Sequence, residues 1–202
     1  MIAVFAAAAT LAAAPASVSD IKPIPVRPGV NVVPGFAPGG GAAQIVRAWR
    51  GNGNAHGYNV FLLLTSASEG RPLSVADVAS GAPPPGQDII RDDPFDGERV
   101  LGVVRFARAK VNGSKASLLI VAHLDDTPNG VLADHDKATV RIFRLVRDDS
   151  VGATSDAFQP VAVIHTDKTY CNAELALRDS LGIPLSQDFA GPNRTDGCFG
   201  GP

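Results

Sequence analysis

The sequence is poor in the residues on which small disulfide-rich and metal-binding domains depend. Among its 202 residues are only two cysteines, four histidines, one methionine and one tryptophan. Two cysteines cannot build a disulfide scaffold, and the four scattered histidines do not have a metal-site spacing. Aromatic residues make up 6%, whereas there are 21 glycines and 16 prolines. This composition favours short strands joined by many turns.

The chain also lacks a strong charge of either sign. Its formal net charge is −2, so electrostatics give no reason to expect a nucleic acid or an anionic membrane surface as partner. The familiar catalytic and nucleotide-binding motifs, such as G-x-S-x-G, H-E-x-x-H and the Walker loop, are missing as well. A hydrophobic fraction of 45% nevertheless excludes a disordered chain.

The first 16 residues form a short apolar run that ends in Ala14-Pro15-Ala16. A short apolar run before small residues predicts a signal peptide, although no Lys or Arg precedes it; a buried helix is the alternative. The run is too short to span a bilayer, and no later stretch is apolar enough, so we expect no transmembrane span in the mature chain. These features predict a periplasmic or extracellular protein with a Pro/Gly-rich arm at 17–41 and one domain at 42–202.

Three β-branched runs between Arg99 and Asp149 predict an antiparallel meander. Asn112-Gly113 separates the first two runs and indicates a hairpin turn. A two-residue loop would pair Phe106 with Leu119 and a three-residue loop would pair it with Ile120; we favour the second.

Further strands are predicted at 43–50, 58–65 and 158–166. The run at 58–65 is apolar at both alternating positions, which is typical of a strand covered on both faces. The excursion at 66–98 is expected to hold a short helix that begins at Ser74.

Near the C-terminus the hydrophobic period changes to that of a helix. Asn172 is a suitable N-cap for the segment AELALRDSL, and Gly182 a suitable stop. In an exported protein Cys171 and Cys198 predict a disulfide; a catalytic thiol at Cys171 is the alternative. The predicted fold is an antiparallel β-sandwich with one short C-terminal helix, and an up-and-down β-barrel is the alternative.

An up-and-down strand order would gather many aspartates at one end of the sheet. Calcium takes six to eight oxygen ligands, so carboxylates and amides in this region predict a Ca²⁺ site, with a solvated acidic rim as the plainer interpretation. The predicted ligands are Asp125, Asp126, Asn129, Asp134 and Asp136.

The other end would hold the GNGNAHG loop with its amides, imidazole and flanking rings. Such groups are typical of a site for a small polar ligand, although a plain Gly/Asn turn explains them equally well. The predicted ligand-binding residues are Trp49, Asn52, Asn54, His56 and Tyr58.

Three functions follow from these features. The first is an exported non-catalytic module that binds a protein partner or a small polar ligand, with calcium as a stabilising ion. The second is a small secreted hydrolase with its site around the GNGNAHG loop, using His56 or His123. The third is an assembly component whose Pro-rich arm donates a strand to a neighbour.

Overall fold

The computed structural model describes residues 16–53, 57–66, 72–79, 87–92, 99–125, 135–148 and 156–199. They form a mainly antiparallel β-sandwich of two sheets with one short helix, as the sequence predicts. The described residues contain no helix with the length and apolarity to cross a membrane. The strands, in chain order, are β1 (Val18–Ile24), β2 (Gly29–Val33), β3 (Ala43–Arg50), β4 (Tyr58–Ser66), β5 (Leu73–Val75), β6 (Asp77–Val78), β7 (Ile90–Arg91), β8 (Gly102–Val111), β9 (Ser114–Leu124), β10 (Asp136–Arg147) and β11 (Asp156–Tyr170).

The chain changes sheet several times. One sheet has six strands in the order β1-β8-β9-β10-β11-β6, and the other has the order β2-β3-β4-β5 with β7 also paired to β4. Each sheet therefore contains a meander of consecutive strands. The single up-and-down order expected for the whole chain is wrong, because β1 and β6 join one sheet while the strands between them build the other.

The Pro-rich arm supplies an edge strand to each sheet. β1 pairs with β8 at one edge of the six-stranded sheet, and β2 pairs with β3 at one edge of the five-stranded sheet. Edge positions tolerate the missing N–H groups of proline, which explains how so Pro-rich a segment enters both sheets. The arm thus lies along the domain as a strap and is not a loose spacer.

The hairpin at Asn112-Gly113 confirms the turn but corrects its register. Both residues have positive φ, 51° and 79°, and Val111 pairs directly with Ser114. The loop is therefore two residues long, and Phe106 pairs with Leu119. The favoured three-residue loop was wrong, because the type I′ geometry that Asn-Gly supports already matches the twist of the strands.

The predicted helix in the 66–98 excursion is also wrong. Ser74 lies in the middle of β5, and the residues that were expected to follow it as a helix form β6. Pairing of Leu73–Val75 with β4 outweighs the weak local helix signal, since sheet hydrogen bonds satisfy the same backbone groups.

Two apolar cores lie on the two sides of the six-stranded sheet. Between the sheets, the Phe106 ring meets Phe36, Phe61 and Phe158 at centroid distances of 6.0–6.3 Å. On the opposite side, α1 (Ala173–Leu181) packs on β8–β11 and forms a second core with their other face. The middle strand β9 contributes to both cores, so both of its faces are covered.

Helix α1 begins and ends where the sequence predicts. The side chain of Asn172 accepts a hydrogen bond from the N–H of Glu174, and Gly182 takes the left-handed conformation at the C-terminus. The predicted disulfide between Cys171 and Cys198 is present, with Cα atoms 5.0 Å apart. It joins the end of β11 to the tail and closes the tail over the helix.

A charged cluster fastens α1 to β11. Lys168 Nζ lies 3.0 Å from an Asp179 carboxylate oxygen, and the Tyr170 hydroxyl donates to the same oxygen. Burial and the neighbouring Asp179 charge raise the pKa of Tyr170 to about 12. Burial alone would raise the pKa of Asp179, but hydrogen bonds from Lys168 and Arg178 outweigh it and hold that pKa below its usual value.

Candidate functional site

The structure separates the side chains predicted to bind a small polar ligand. Arg50 and Tyr58 are directly opposite in β3 and β4, so Trp49, one position earlier, leaves the sheet on the other face from Tyr58. The indole of Trp49 is 56% exposed and lies against Gly57, where an added Cβ would come within 2.3 Å of the ring. Asn52 is exposed beyond the end of β3. The other two predicted residues, Asn54 and His56, lie outside the described residues.

The predicted calcium ligands are described only in part. Asp125 accepts a 2.6 Å hydrogen bond from the Thr139 hydroxyl, and Asp136 forms a 2.9 Å salt bridge with Arg99. Asp136 lies two positions before Ala138 in β10, so it is on the face that packs against helix α1. Asp125 is on the opposite face, together with Thr139. Asp126, Asn129 and Asp134 lie outside the described residues. The part of the chain that the structure describes contains no group of three His, Cys, Asp or Glu that could hold a metal, and the calcium site stays a prediction.

A polar row crosses the six-stranded sheet next to Asp125. Thr139 pairs with His123 on one side and with His165 on the other. Its hydroxyl proton goes to Asp125, so the Nδ1 of His165, 3.0 Å away, acts as donor to the hydroxyl oxygen. These hydrogen bonds connect the residue that follows β9 to β10 and β11, and they satisfy the buried hydroxyl of Thr139.

A different surface has the size and character of a binding site. It is the outer face of the five-stranded sheet, turned away from both cores. Strand pairing arranges its side chains in rows across the strands: Val46 lies between Val30 and Leu62, and Leu64 lies between Gln44 and Val75. Among the described residues, its apolar side chains belong to neither core. The apolar members of this outer face are Val30, Val32, Val46, Val60, Leu62, Leu64, Leu73 and Val75.

The prediction that β4 is covered on both faces is correct for one face only. The odd-numbered residues Phe61 and Leu63 are buried in the inter-sheet core, while Val60 and Leu62 on the outer face are half-buried. On the edge strand, Val30 and Val32 are each 63% exposed. The four strands are about 4.8 Å apart and contain five, eight, nine and three residues, so the area of the outer face is roughly 400 Å². That is as large as the largest apolar patches of typical monomers, which are often functional.

One end of the outer face is cationic. The guanidinium carbons of Arg50 and Arg91 lie 5.5 Å and 5.6 Å from the centroid of the Tyr58 ring. Arg50 also donates a hydrogen bond to the Tyr58 hydroxyl. Within the described residues, neither arginine forms a salt bridge with a carboxylate. We call Arg50, Tyr58 and Arg91 the arginine–tyrosine cluster.

A hydrogen-bond network on the inner face fixes the position of this cluster. The backbone N–H and side-chain amide of Asn59 donate to Asp92 over 2.7 Å and 2.8 Å, and Arg47 donates to the Asn59 side-chain oxygen over 2.8 Å. These bonds tie β3, β4 and the end of β7 together. Because Asn59 follows Tyr58 and Asp92 follows Arg91, these hydrogen bonds fix the backbone that carries Tyr58 and Arg91.

Sequence reasoning missed this face because its residues come from separate parts of the chain. β2, β3 and β4 each carry apolar residues at every second position, which was the available signal. Arg91 lies in the excursion at 66–98, whose pairing with β4 no local pattern indicated.

Comparison with known proteins supports the architecture. No protein-family model and no curated protein matches this sequence. The fold is similar to the crystal structure of CarG, with a TM-score of 0.62 at 16% sequence identity, covering 78% of this chain and 94% of that chain. This likeness establishes the fold alone.

Proposed function

We propose that the protein is an exported, non-catalytic binding module that uses the outer face of the five-stranded sheet to bind a protein partner. The observation that carries this proposal is the apolar outer face, which belongs to neither core of the described residues. Export is supported by the Cys171–Cys198 disulfide, because such bonds persist in oxidising compartments, and by the predicted signal peptide. The place of action is then the periplasm or the extracellular space.

A protein partner fits this face better than a small polar ligand does. Small-molecule sites are concave and carry a few convergent polar groups, whereas most of the outer face consists of sheet rows of Val and Leu side chains, with the arginine–tyrosine cluster at one end. Exposed apolar surfaces of this kind, especially with polar residues at the margin, are typical of contacts between proteins. The estimated area of about 400 Å² is below the ~800 Å² per partner of a standard interface, which corresponds to a transient contact.

The two alternative functions receive less support from the described residues. For a hydrolase, the described residues give no direct support: His56 lies outside them, and the Nδ1 of His123 lies 2.5 Å from the Leu124 carbonyl oxygen. For a strand-donating arm, the 30–36 segment would have to be unpaired, but Val30 pairs with β3 and Phe36 is buried between the sheets.

The test is capture of a partner from the periplasm or culture fluid, followed by measurement with the purified pair. The variant Val30→Glu/Val32→Glu places charges on the most exposed part of the outer face. Val163→Glu is the matched control, since Val163 is 53% exposed on the six-stranded sheet. We expect one identified protein whose Kd rises at least tenfold for the double variant and stays within twofold for the control. Equal affinity for all three proteins would refute the proposal.

Calcium remains part of the proposed function as a stabilising ion, with Asp125, Asp126, Asn129, Asp134 and Asp136 as its proposed ligands. Binding to the folded state alone raises its stability by mass action, so 1 mM Ca²⁺ should raise the melting temperature relative to a chelator. An Asp125→Asn variant should lose that increase. Identical melting curves with calcium and with chelator would exclude the ion.

A further inference from the structure

We infer that the partner presents carboxylate side chains to the arginine–tyrosine cluster, next to an apolar segment that covers the valines and leucines of the outer face. This inference rests on the proposed function and specifies the chemistry of its partner. The first argument is charge segregation. The five strands of this sheet contain three arginines and no aspartate or glutamate, whereas the whole chain has a net charge of −2.

The second argument concerns the use of these three arginines within the chain. Arg47 is on the inner face, where its hydrogen bonds to Asn59 and to the Val26 carbonyl hold the strands together. Arg50 and Arg91 are exposed on the outer face, and their described contacts are with the Tyr58 ring. Contact with a ring leaves most of the five N–H donors of a guanidinium available for the bidentate hydrogen bonds that carboxylates accept.

The third argument concerns geometry. Directly paired residues place Arg50 beside Tyr58, and Val60 beside Arg91, so the cationic end is continuous with the apolar rows. Tyr58 holds both guanidinium groups over one ring, which limits their side-chain freedom before a partner arrives. Preorganised cations at the margin of an apolar patch raise the association rate of an acidic partner and fix its orientation.

A second copy of this chain is a poorer occupant of the face. It would offer the same strands, which contain no carboxylate to neutralise the arginines. An anionic membrane would supply negative charge, but the two exposed arginines are few for a surface that needs several cations to attract a protein. An acidic protein segment satisfies both the charge and the apolar rows.

The experiment uses a displayed library of random 12-residue peptides as the probe, selected on the full disulfide-bonded chain. The selection is repeated on Val30→Glu/Val32→Glu, on Arg50→Gln/Arg91→Gln and on the control Arg141→Gln, which removes an exposed arginine from the six-stranded sheet. We expect peptides rich in Asp or Glu together with apolar residues from the wild-type chain and from the control. The arginine variant should select apolar peptides without acidic enrichment, and the valine variant should select neither.

The best peptide is then synthesised for affinity measurements. Its Kd should rise about tenfold for Arg50→Gln/Arg91→Gln, as expected for the loss of charge-assisted hydrogen bonds, and should stay within twofold for Arg141→Gln. Apolar peptides that depend on the valines but carry no acidic residues would overturn this inference and leave the proposed function standing. If no selected peptide depended on Val30 and Val32, both this inference and the proposed function would be refuted. A wild-type dimer that dissociates in Val30→Glu/Val32→Glu would overturn this inference in favour of a second copy of the chain. Sedimentation of the protein with phosphatidylglycerol vesicles would overturn it in favour of a lipid surface.

Discussion

Replacement of Phe106 by alanine tests the central packing of the sandwich. Its ring is 1% exposed and contacts three other phenylalanine rings, of which Phe36 and Phe61 belong to the arm and the five-stranded sheet, and Phe158 to the six-stranded sheet. Truncation of a buried phenylalanine costs about 3–5 kcal/mol through lost burial and the cavity that remains. We expect a value near the middle of that range, about 4 kcal/mol, because the strands on both sides limit collapse into the cavity.

Urea unfolding of the oxidised chain measures this loss. With a urea dependence of about 2 kcal/mol per molar, the midpoint should fall by about 2 M. Far-UV circular dichroism reports on all strands, and the single tryptophan, Trp49, reports on the five-stranded sheet. Both signals should shift together, because the Phe106 cluster joins the two sheets. Phe199→Ala, at a site that is 65% exposed, is the control and should change stability by less than about 0.5 kcal/mol. A shift below about 0.5 M for Phe106→Ala, or separate transitions of the two signals, would refute the reasoning.

Three further predictions concern the tail, the helix and the start of β4. Reduction of the disulfide, which spans 27 positions, should lower the free energy of unfolding by roughly 3–4 kcal/mol in the chain-entropy model; equal melting temperatures with and without reductant would contradict this. The pKa of Asp179 is lowered from 3.8 in the folded chain, so its pairing with Lys168 and Arg178 stabilises the protein above about pH 4 and is lost as the pH falls through the folded pKa. Asp179→Asn should therefore show a smaller loss of melting temperature between pH 6 and pH 3 than the wild type, and an equal loss would argue against the pairing. Gly57→Ala should displace the Trp49 ring, since the new Cβ would lie 2.3 Å from it; the fluorescence spectrum should change, and an unchanged spectrum would show that the ring does not lie there.

Features that depend on a few neighbouring residues could be predicted from the sequence. The Asn112-Gly113 turn needs positive φ at two successive residues, and this pair is well suited to it. Helix α1 likewise has its N-cap at Asn172 and its left-handed stop at Gly182. In each case the chemistry that determines the structure lies within about ten residues of chain, so the pattern and its cause are visible together.

Features that depend on distant pairing could not be predicted. The signal at Ser74 for a helix was real but weak, and pairing with β4 outweighed it. The register at Phe106 is determined by the two-residue geometry of the turn and not by the apolar pattern of the strands. The allocation of strands to two sheets depends on contacts between the arm, the excursion and the meander, which no local pattern contains.

In the candidate site, too, local features could be predicted from the sequence and features that depend on distant pairing could not. Alternation within β4 correctly predicted apolar side chains on both of its faces, and Val60 and Leu62 are indeed on the face opposite to Phe61 and Leu63. What the pattern could not predict is which part of the chain would cover each face. The Arg50–Tyr58–Arg91 grouping requires the pairing of β7 with β4, so it became visible only in the structure.

The layers of the fold show which apolar faces are explained by packing in a core and which face is not. The six-stranded sheet has α1 on one side and the five-stranded sheet on the other, so folding itself explains the apolar residues on both of its faces. The outer face of the five-stranded sheet belongs to neither core, and an antiparallel sheet that faces water normally alternates apolar with polar side chains. Threonine at Val30, Val32 and Val46 would suit strand formation as well as valine does. Neither core therefore explains the exposed valines of this face, and this observation supports the proposed binding of a partner.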